Sequence, residues 1–199
     1  MVSTRFANRV RSRLGPVGEV VARTGLTPNM LTVIGLILNI GVAAVIASGN
    51  LVLGGALVLV AGAFDALDGA VARATGKTSA FGGFLDSTLD RYSEAVVFGG
   101  VLIYLTRTDD GTVPILLTYA AIVGSLMISY TRAKSEQIGV RGDIGVAQRL
   151  ERVLILAVAL LANQLVGGLW VLAVITQLTA VHRIVHVWNA VRSQPASDV

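Results

Sequence analysis

The chain has no cysteine, which excludes disulfides, thiolate nucleophiles and thiolate metal sites. It is also poor in charge: only 14% of its 199 residues are Asp, Glu, Lys or Arg, whereas 54% are hydrophobic. With a mean hydropathy of +0.73, such a chain holds more apolar surface than a soluble domain of this size can bury. It therefore reads as an integral membrane protein. No apolar core followed by a small-residue cleavage site precedes Pro28, so no signal peptide is expected.

Uncharged or nearly uncharged runs of about 20 residues, enough to cross a bilayer, predict an all-α membrane protein. Six transmembrane helices are expected near 28–50, 51–73, 80–106, 112–136, 148–166 and 168–192, forming one membrane domain over 1–192. The break between the last two rests on Asn163-Gln164 and Gly167-Gly168 alone. Residues 1–25 place Phe6, Val10, Leu14, Val17 and Val21 opposite Arg5, Arg9 and Arg13, the pattern of an amphipathic juxtamembrane helix on an anionic surface. An ordinary basic flank fits that stretch as well. Residues 193–199 read as a disordered tail.

Basic residues orient the helices. Arg73 and Lys77 fall in one set of connections with Arg132, Lys134, Arg141, Arg149 and Arg152, and the N- and C-terminal segments are basic too; the opposite loops hold only Arg107. The positive-inside rule then puts both termini in the cytoplasm, in a multi-pass protein of the cytoplasmic membrane. The net charge of +4 thus expresses topology. No nucleic-acid partner is expected, since no aromatic-rich basic face is present.

Against this apolar background stand four acids, Asp65, Asp68, Asp86 and Asp90. A carboxylate at membrane depth costs roughly 2.5 to 3.5 kcal/mol on insertion scales, so four require metal, counter-charge or water. Asp65 and Asp68 are three apart, and Asp86 and Asp90 four apart, so on helices each pair shares a face. A short connection between their helices would bring the pairs to similar depth. Oxygen-only ligation suits a hard divalent ion, Mg²⁺ or Mn²⁺, and four carboxylates have capacity for two. Cation translocation, or pairing with Arg73 and Arg91, would also use such acids.

The intervening residues narrow the choice. Asp65, Asp68, Gly69, Ala72, Arg73, Gly82, Asp86 and Asp90 fit the pattern D-x2-D-G-x2-A-R-x8-G-x3-D-x3-D without departure. Gly69 and Gly82 let a ligand approach the backbone, and Arg73 offers a phosphate its fork of donors. The segment resembles the signature of the CDP-alcohol phosphotransferase family. That resemblance implies six helices around a polar cavity facing the cytoplasm, with a CDP-lipid arriving from the bilayer and an alcohol from the cytosol. It implies that Asp65, Asp68 and Asp86 bind metal, and that Asp90, also a ligand, is the catalytic base. It further implies that Asn29, Met30, Leu31, Thr32, Gly69, Arg73 and Ser79 hold the CDP-lipid, that CMP leaves, and that the protein is a homodimer.

For the acceptor, the clue is arginine at the cytoplasmic ends of later helices: Arg132, Arg152 and Arg183. A dianion entering a carboxylate-lined cavity needs fixed positive charge, although snorkelling at the interface also places arginines there. The stretch 129–152, Ser-Tyr-x-Arg-Ala-Lys-x-Glu followed by Gly139, Arg141-Gly142-Asp143, Gly145 and Arg-x-x-Glu-Arg, resembles prokaryotic phosphatidylinositol phosphate synthases. This second resemblance implies that Arg132, Arg152 and Arg183 bind the phosphate of inositol phosphate, and that CDP-diacylglycerol is the donor. The alternatives are a phosphatidylglycerophosphate synthase, an archaeal archaetidylinositol phosphate synthase, and, in another class, a cation transporter. His182 and His186, four apart beside Trp188, read as interfacial side chains rather than metal ligands.

Overall fold

The computed structural model describes residues 25–75, 79–108, 111–142 and 144–193. The expected juxtamembrane helix over 1–25 and almost all of the tail over 193–199 lie outside them. Every element among the described residues is helical: α1 (Pro28–Ala47), α2 (Leu51–Thr75), α3 (Ala80–Thr108), α4 (Thr112–Gln137), α5 (Arg149–Leu161) and α6 (Leu165–Arg192). Of these, α1, α4 and α6 are long and apolar enough to cross a membrane. Helix α2 opens on the apolar run 51–64 and carries the acidic signature in its second half, from Asp65 on. The chain divides into two compact units, Met1–Gly100 and Val101–Val199.

In the first unit, α1 begins where Thr27 caps it. The Thr27 hydroxyl accepts a hydrogen bond from the Met30 amide at 3.3 Å, and Pro28 occupies the first turn, where its missing N–H costs nothing. Residues 48–50 reverse the chain into α2, with Gly49 at φ +92°. The two helices then pack closely, since a Cβ on Gly54 would lie 2.5 Å from Ile46 Cγ1. Gly100 of α3 sits directly on the backbone of Ala43 in α1. In lipid the hydrophobic effect gives little drive to helix association, so small residues that let backbones approach carry it instead. Within the glycine pairs 54–55, 82–83 and 99–100, Gly54, Gly82 and Gly100 make such approaches inside the chain, while Gly83 and Gly99 have nothing within 4 Å of an added Cβ.

In the second unit α4 pairs with α6, and α5 with α6. Gly124 lies against Thr176, Gly168 against Ala159, and the Gln177 amide donates to the Ala120 carbonyl at 2.9 Å. Helix α5 has only 13 residues, about 20 Å of rise, so it needs its flanking residues to reach across the roughly 30 Å of a bilayer core. It stops at 162–164, where Asn163 adopts φ +54°. Gly167 and Gly168, the other expected breaking point, lie inside α6. Apolar side chains turned outward suit lipid surroundings: Ile37, Ile40, Val60, Leu116 and Leu178 are each more than half exposed.

Candidate active site

The acidic residues sit on α2 and α3. Asp65 lies in the second half of α2, and its carboxylate occupies a notch in α1. A Cβ on Gly35 would lie 2.7 Å from Asp65 Oδ1, so only glycine admits the acid there. Asn39, one turn further along α1 and buried, donates from its side-chain amide to the Gly35 carbonyl at 2.9 Å. Asp86 and Asp90 are a helical turn apart on α3 and share a face. Asp68 and Arg73 belong to α2 by backbone, but their side chains lie outside those described. Among the described side chains no group of three His, Cys, Asp or Glu gathers to hold an ion; the predicted set has Asp68 as its fourth member.

The donor set fits a hard divalent ion. Its oxygens are carboxylates, and the Gly35 notch is a cradle that a methyl group would fill.

At the starts of α1 and α3, two helix N-termini come together. Ser79 caps α3, its hydroxyl accepting from the Gly82 amide at 2.9 Å. A Cβ on Gly82 would meet Ser79 Oγ at 3.0 Å and Asn29 Oδ1 at 3.2 Å. Signature glycine, cap and Asn29 are therefore in contact, although 50 residues separate Asn29 from Ser79 in sequence. Thr32 turns its hydroxyl to the Pro28 carbonyl at 3.0 Å, Leu31 is buried and Met30 exposed. Uncapped amides and the dipole at such ends favour an anion. Two residues expected at the CDP-lipid site, Asn29 and Ser79, are thus brought together. Arg91, considered as a partner of the acids, directs a guanidinium N–H to the Ser87 carbonyl of its own helix.

The three arginines expected at the acceptor phosphate differ sharply. Arg152 and Arg183 are 4% and 3% exposed. Arg152 donates from Nη1 to the Ala147 carbonyl at 2.8 Å, and Arg183 from Nε to Ile144 at 2.8 Å and from Nη1 to Ile128 at 2.5 Å. Arg132 has a side chain 52% exposed and pairs with Glu136 on its own helix at 2.8 Å. A buried guanidinium is costly unless its donors are engaged. Interfacial snorkelling explains an exposed arginine such as Arg132, but not Arg152 and Arg183.

Sequence reasoning missed Gly35 and Asn39. The signal available was a glycine four residues before an asparagine in the middle of an apolar span: a buried amide in lipid needs a hydrogen-bond partner, and a glycine allows close approach of a neighbouring helix.

Apolar helices that carry the signature aspartates on α2 and α3, with the N-termini of α1 and α3 in contact through Asn29, Ser79 and Gly82, fit a membrane-embedded enzyme. Residues 25–191 match the family model described as CDP-alcohol phosphatidyltransferase, and the chain belongs to that family of transferases. It is 39% identical over 184 residues to an archaetidylinositol phosphate synthase of Pyrococcus horikoshii, covering 91% of this chain and 94% of that one. It is 34% identical over 185 residues to a phosphatidylinositol phosphate synthase of Mycobacterium tuberculosis, covering 88% and 85%. Two crystal structures of the Mycobacterium tuberculosis enzyme, one with CDP-DAG bound and one with manganese and citrate, each superpose with a TM-score of 0.84 at 32% identity. They cover 94% of this chain and, respectively, 96% and 92% of those chains.

Proposed function

We propose that this transferase moves a phosphatidyl group from CDP-diacylglycerol to inositol phosphate, giving phosphatidylinositol phosphate and CMP. The observation that carries the choice of acceptor is the burial of Arg152 and Arg183. A neutral alcohol gives no reason to keep two guanidiniums out of water, whereas a phosphate monoester does. The relatives support it, because both named synthases make inositol phosphate lipids.

In this account Asp65, Asp68, Asp86 and Asp90 hold two divalent ions, Mg²⁺ or Mn²⁺; the relative with manganese bound supports divalent use. When bound, such ions neutralise the pyrophosphate and stabilise charge that builds on its oxygens. The chain's own residues do the rest. Asn29, Met30, Leu31 and Thr32, at the start of α1, together with Gly69, Arg73 and Ser79, hold the CDP moiety. Gly82 admits it against the backbone. Asp90 accepts the proton of the acceptor hydroxyl, and positioning supplies much of the rate because a base beside a cation is weakened. Arg152 and Arg183, with Arg132, hold the acceptor phosphate.

The donor has a second reading. The 39% identity to an archaetidylinositol phosphate synthase favours testing an archaeol-based CDP-lipid beside CDP-diacylglycerol. We further propose six membrane spans in one domain over 1–192, an N-terminal surface helix, a homodimer, and a site open to the cytoplasm. Since the chain has no cysteine, the orientation is testable by single cysteines. One at Asp109 should react with an impermeant thiol reagent in intact cells, and one at Lys77 should not.

The decisive assay is CMP release by purified protein from CDP-diacylglycerol. Release is expected only when a divalent ion and inositol phosphate are both present. Equal release with glycerol 3-phosphate would make the protein a phosphatidylglycerophosphate synthase instead.

A further inference from the structure

We propose that Gly145 is a positioning residue for the acceptor: its missing side chain lets residues 144–147 lie on α6, where the Ile144 carbonyl fixes the Arg183 guanidinium. The inference rests on the assignment of Arg152 and Arg183 to the acceptor phosphate.

Three observations converge on this short segment. Gly145 has φ +108°, in the region that side chains rarely adopt. A Cβ there would lie 2.5 Å from Thr179 Cγ2 and 3.9 Å from Arg183 Nε. Thr179, itself buried, is one turn before Arg183 on α6, so the glycine rests against the same helical face that presents the arginine. On either side of Gly145, carbonyls take the buried guanidiniums: Ile144 that of Arg183 and Ala147 that of Arg152, each at 2.8 Å. Ala147 is fully buried in a cluster with Ile128 and Ala180, which holds the far end of the segment.

Arg183 therefore has two donors fixed in different directions, Nε on Ile144 and Nη1 on Ile128 of α4. A planar guanidinium held at two points has its orientation set before any ligand arrives. Pre-set donors bind an anion without the entropy of ordering a long side chain. A side chain at position 145 would lift the segment off Thr179 and take the Ile144 carbonyl from Arg183. The effect should fall on acceptor binding, since Gly145 belongs to none of the groups assigned to metal, CDP-lipid or proton transfer.

The test compares Gly145→Ala, Arg183→Gln and their double variant by steady-state kinetics on the purified enzyme, varying inositol phosphate and CDP-diacylglycerol separately. Thr179→Ile, which crowds the same contact from α6 without straining position 145, serves as an independent second perturbation. Gly145→Ala and Thr179→Ile should each raise KM for inositol phosphate about tenfold while KM for the CDP-lipid stays within about twofold. In the double variant, Gly145→Ala should add little to Arg183→Gln, because both remove one oriented guanidinium. An unchanged acceptor KM in either active variant, or fully additive losses in the double variant, would overturn the role of Gly145 while leaving Arg183 as a ligand. If Arg183→Gln itself leaves the acceptor KM unchanged, the phosphate assignment falls, and the role of Gly145 falls with it.

Discussion

The unit that carries the signature aspartates and the unit that carries the buried arginines are built in opposite ways. The aspartates of the first unit come from one run of sequence, 65–90, in which eight fixed residues span two consecutive helices. The buried arginines of the second unit lie on α5 and α6: Arg152 donates to a carbonyl five residues before it, and Arg183 donates to carbonyls 39 and 55 residues away. Local spacing on a helix suffices to put two carboxylates on one face. Orienting the Arg183 guanidinium needs a surrounding fold. The difference matches the labour proposed for each: the aspartates for the chemistry, written in one compact motif, and the arginines for the acceptor, with Arg183 held by contacts far away in sequence.

The strongest way to break this division is at Asp90. Asp90→Asn keeps the shape but removes the proton acceptor, and kcat should fall by about a hundredfold or more while CDP-lipid binding, measured by equilibrium titration, persists. Retention of more than about a tenth of wild-type kcat would remove Asp90 from its role. Next, Arg152→Gln and Arg183→Gln should each raise KM for inositol phosphate by roughly ten- to a hundredfold, the loss of a charge-assisted hydrogen bond worth about 1.5 to 3 kcal/mol. Arg73→Gln should act on the other substrate and weaken the donor. Similar effects of all three changes on both substrates would erase the contrast between the two halves.

Gly35→Ala is a smaller and sharper probe. A methyl group in the notch would displace the Asp65 carboxylate, so the divalent-ion concentration needed for half-maximal activity should rise about tenfold, with full kcat recovered at saturating metal. An unaltered metal requirement would show that the notch serves packing alone. Arg132→Gln should have the smallest effect, about threefold or less on acceptor KM, because its side chain is half exposed and its ion pair with Glu136 is a surface pair. A loss as large as that of Arg183→Gln would restore Arg132 to equal standing.

Much of this was legible beforehand, for identifiable reasons. Scarce charge and long apolar runs mark a helical membrane protein, and six helices are what the described residues form. The pattern from Asp65 to Asp90 carries the family unaided, because residues three and four apart on a helix need no tertiary information to share a face. The end of α5 was harder to read. Asn163 and the glycines after it both suggest a break, and only the left-handed turn at Asn163 realises one, since Gly168 is needed inside α6 to admit Ala159. Illegible altogether were the Gly35 notch and the Ile144 and Ala147 carbonyls. These depend on which backbone atoms face a side chain from another helix or loop, and side-chain periodicity holds no record of backbone carbonyls. For the same reason the sequence set Arg132 level with Arg152 and Arg183, whereas burial separates them.

The central claim is that the acceptor is itself a phosphate ester and keeps its phosphate in the product. It is tested most directly by incubating the purified enzyme, a divalent ion and CDP-diacylglycerol with inositol phosphate labelled in its phosphate group. The account predicts label in the lipid phase, in a product from which a phosphomonoesterase releases it. Label remaining in the aqueous phase, while labelled glycerol 3-phosphate or free inositol enters lipid under the same conditions, would contradict it.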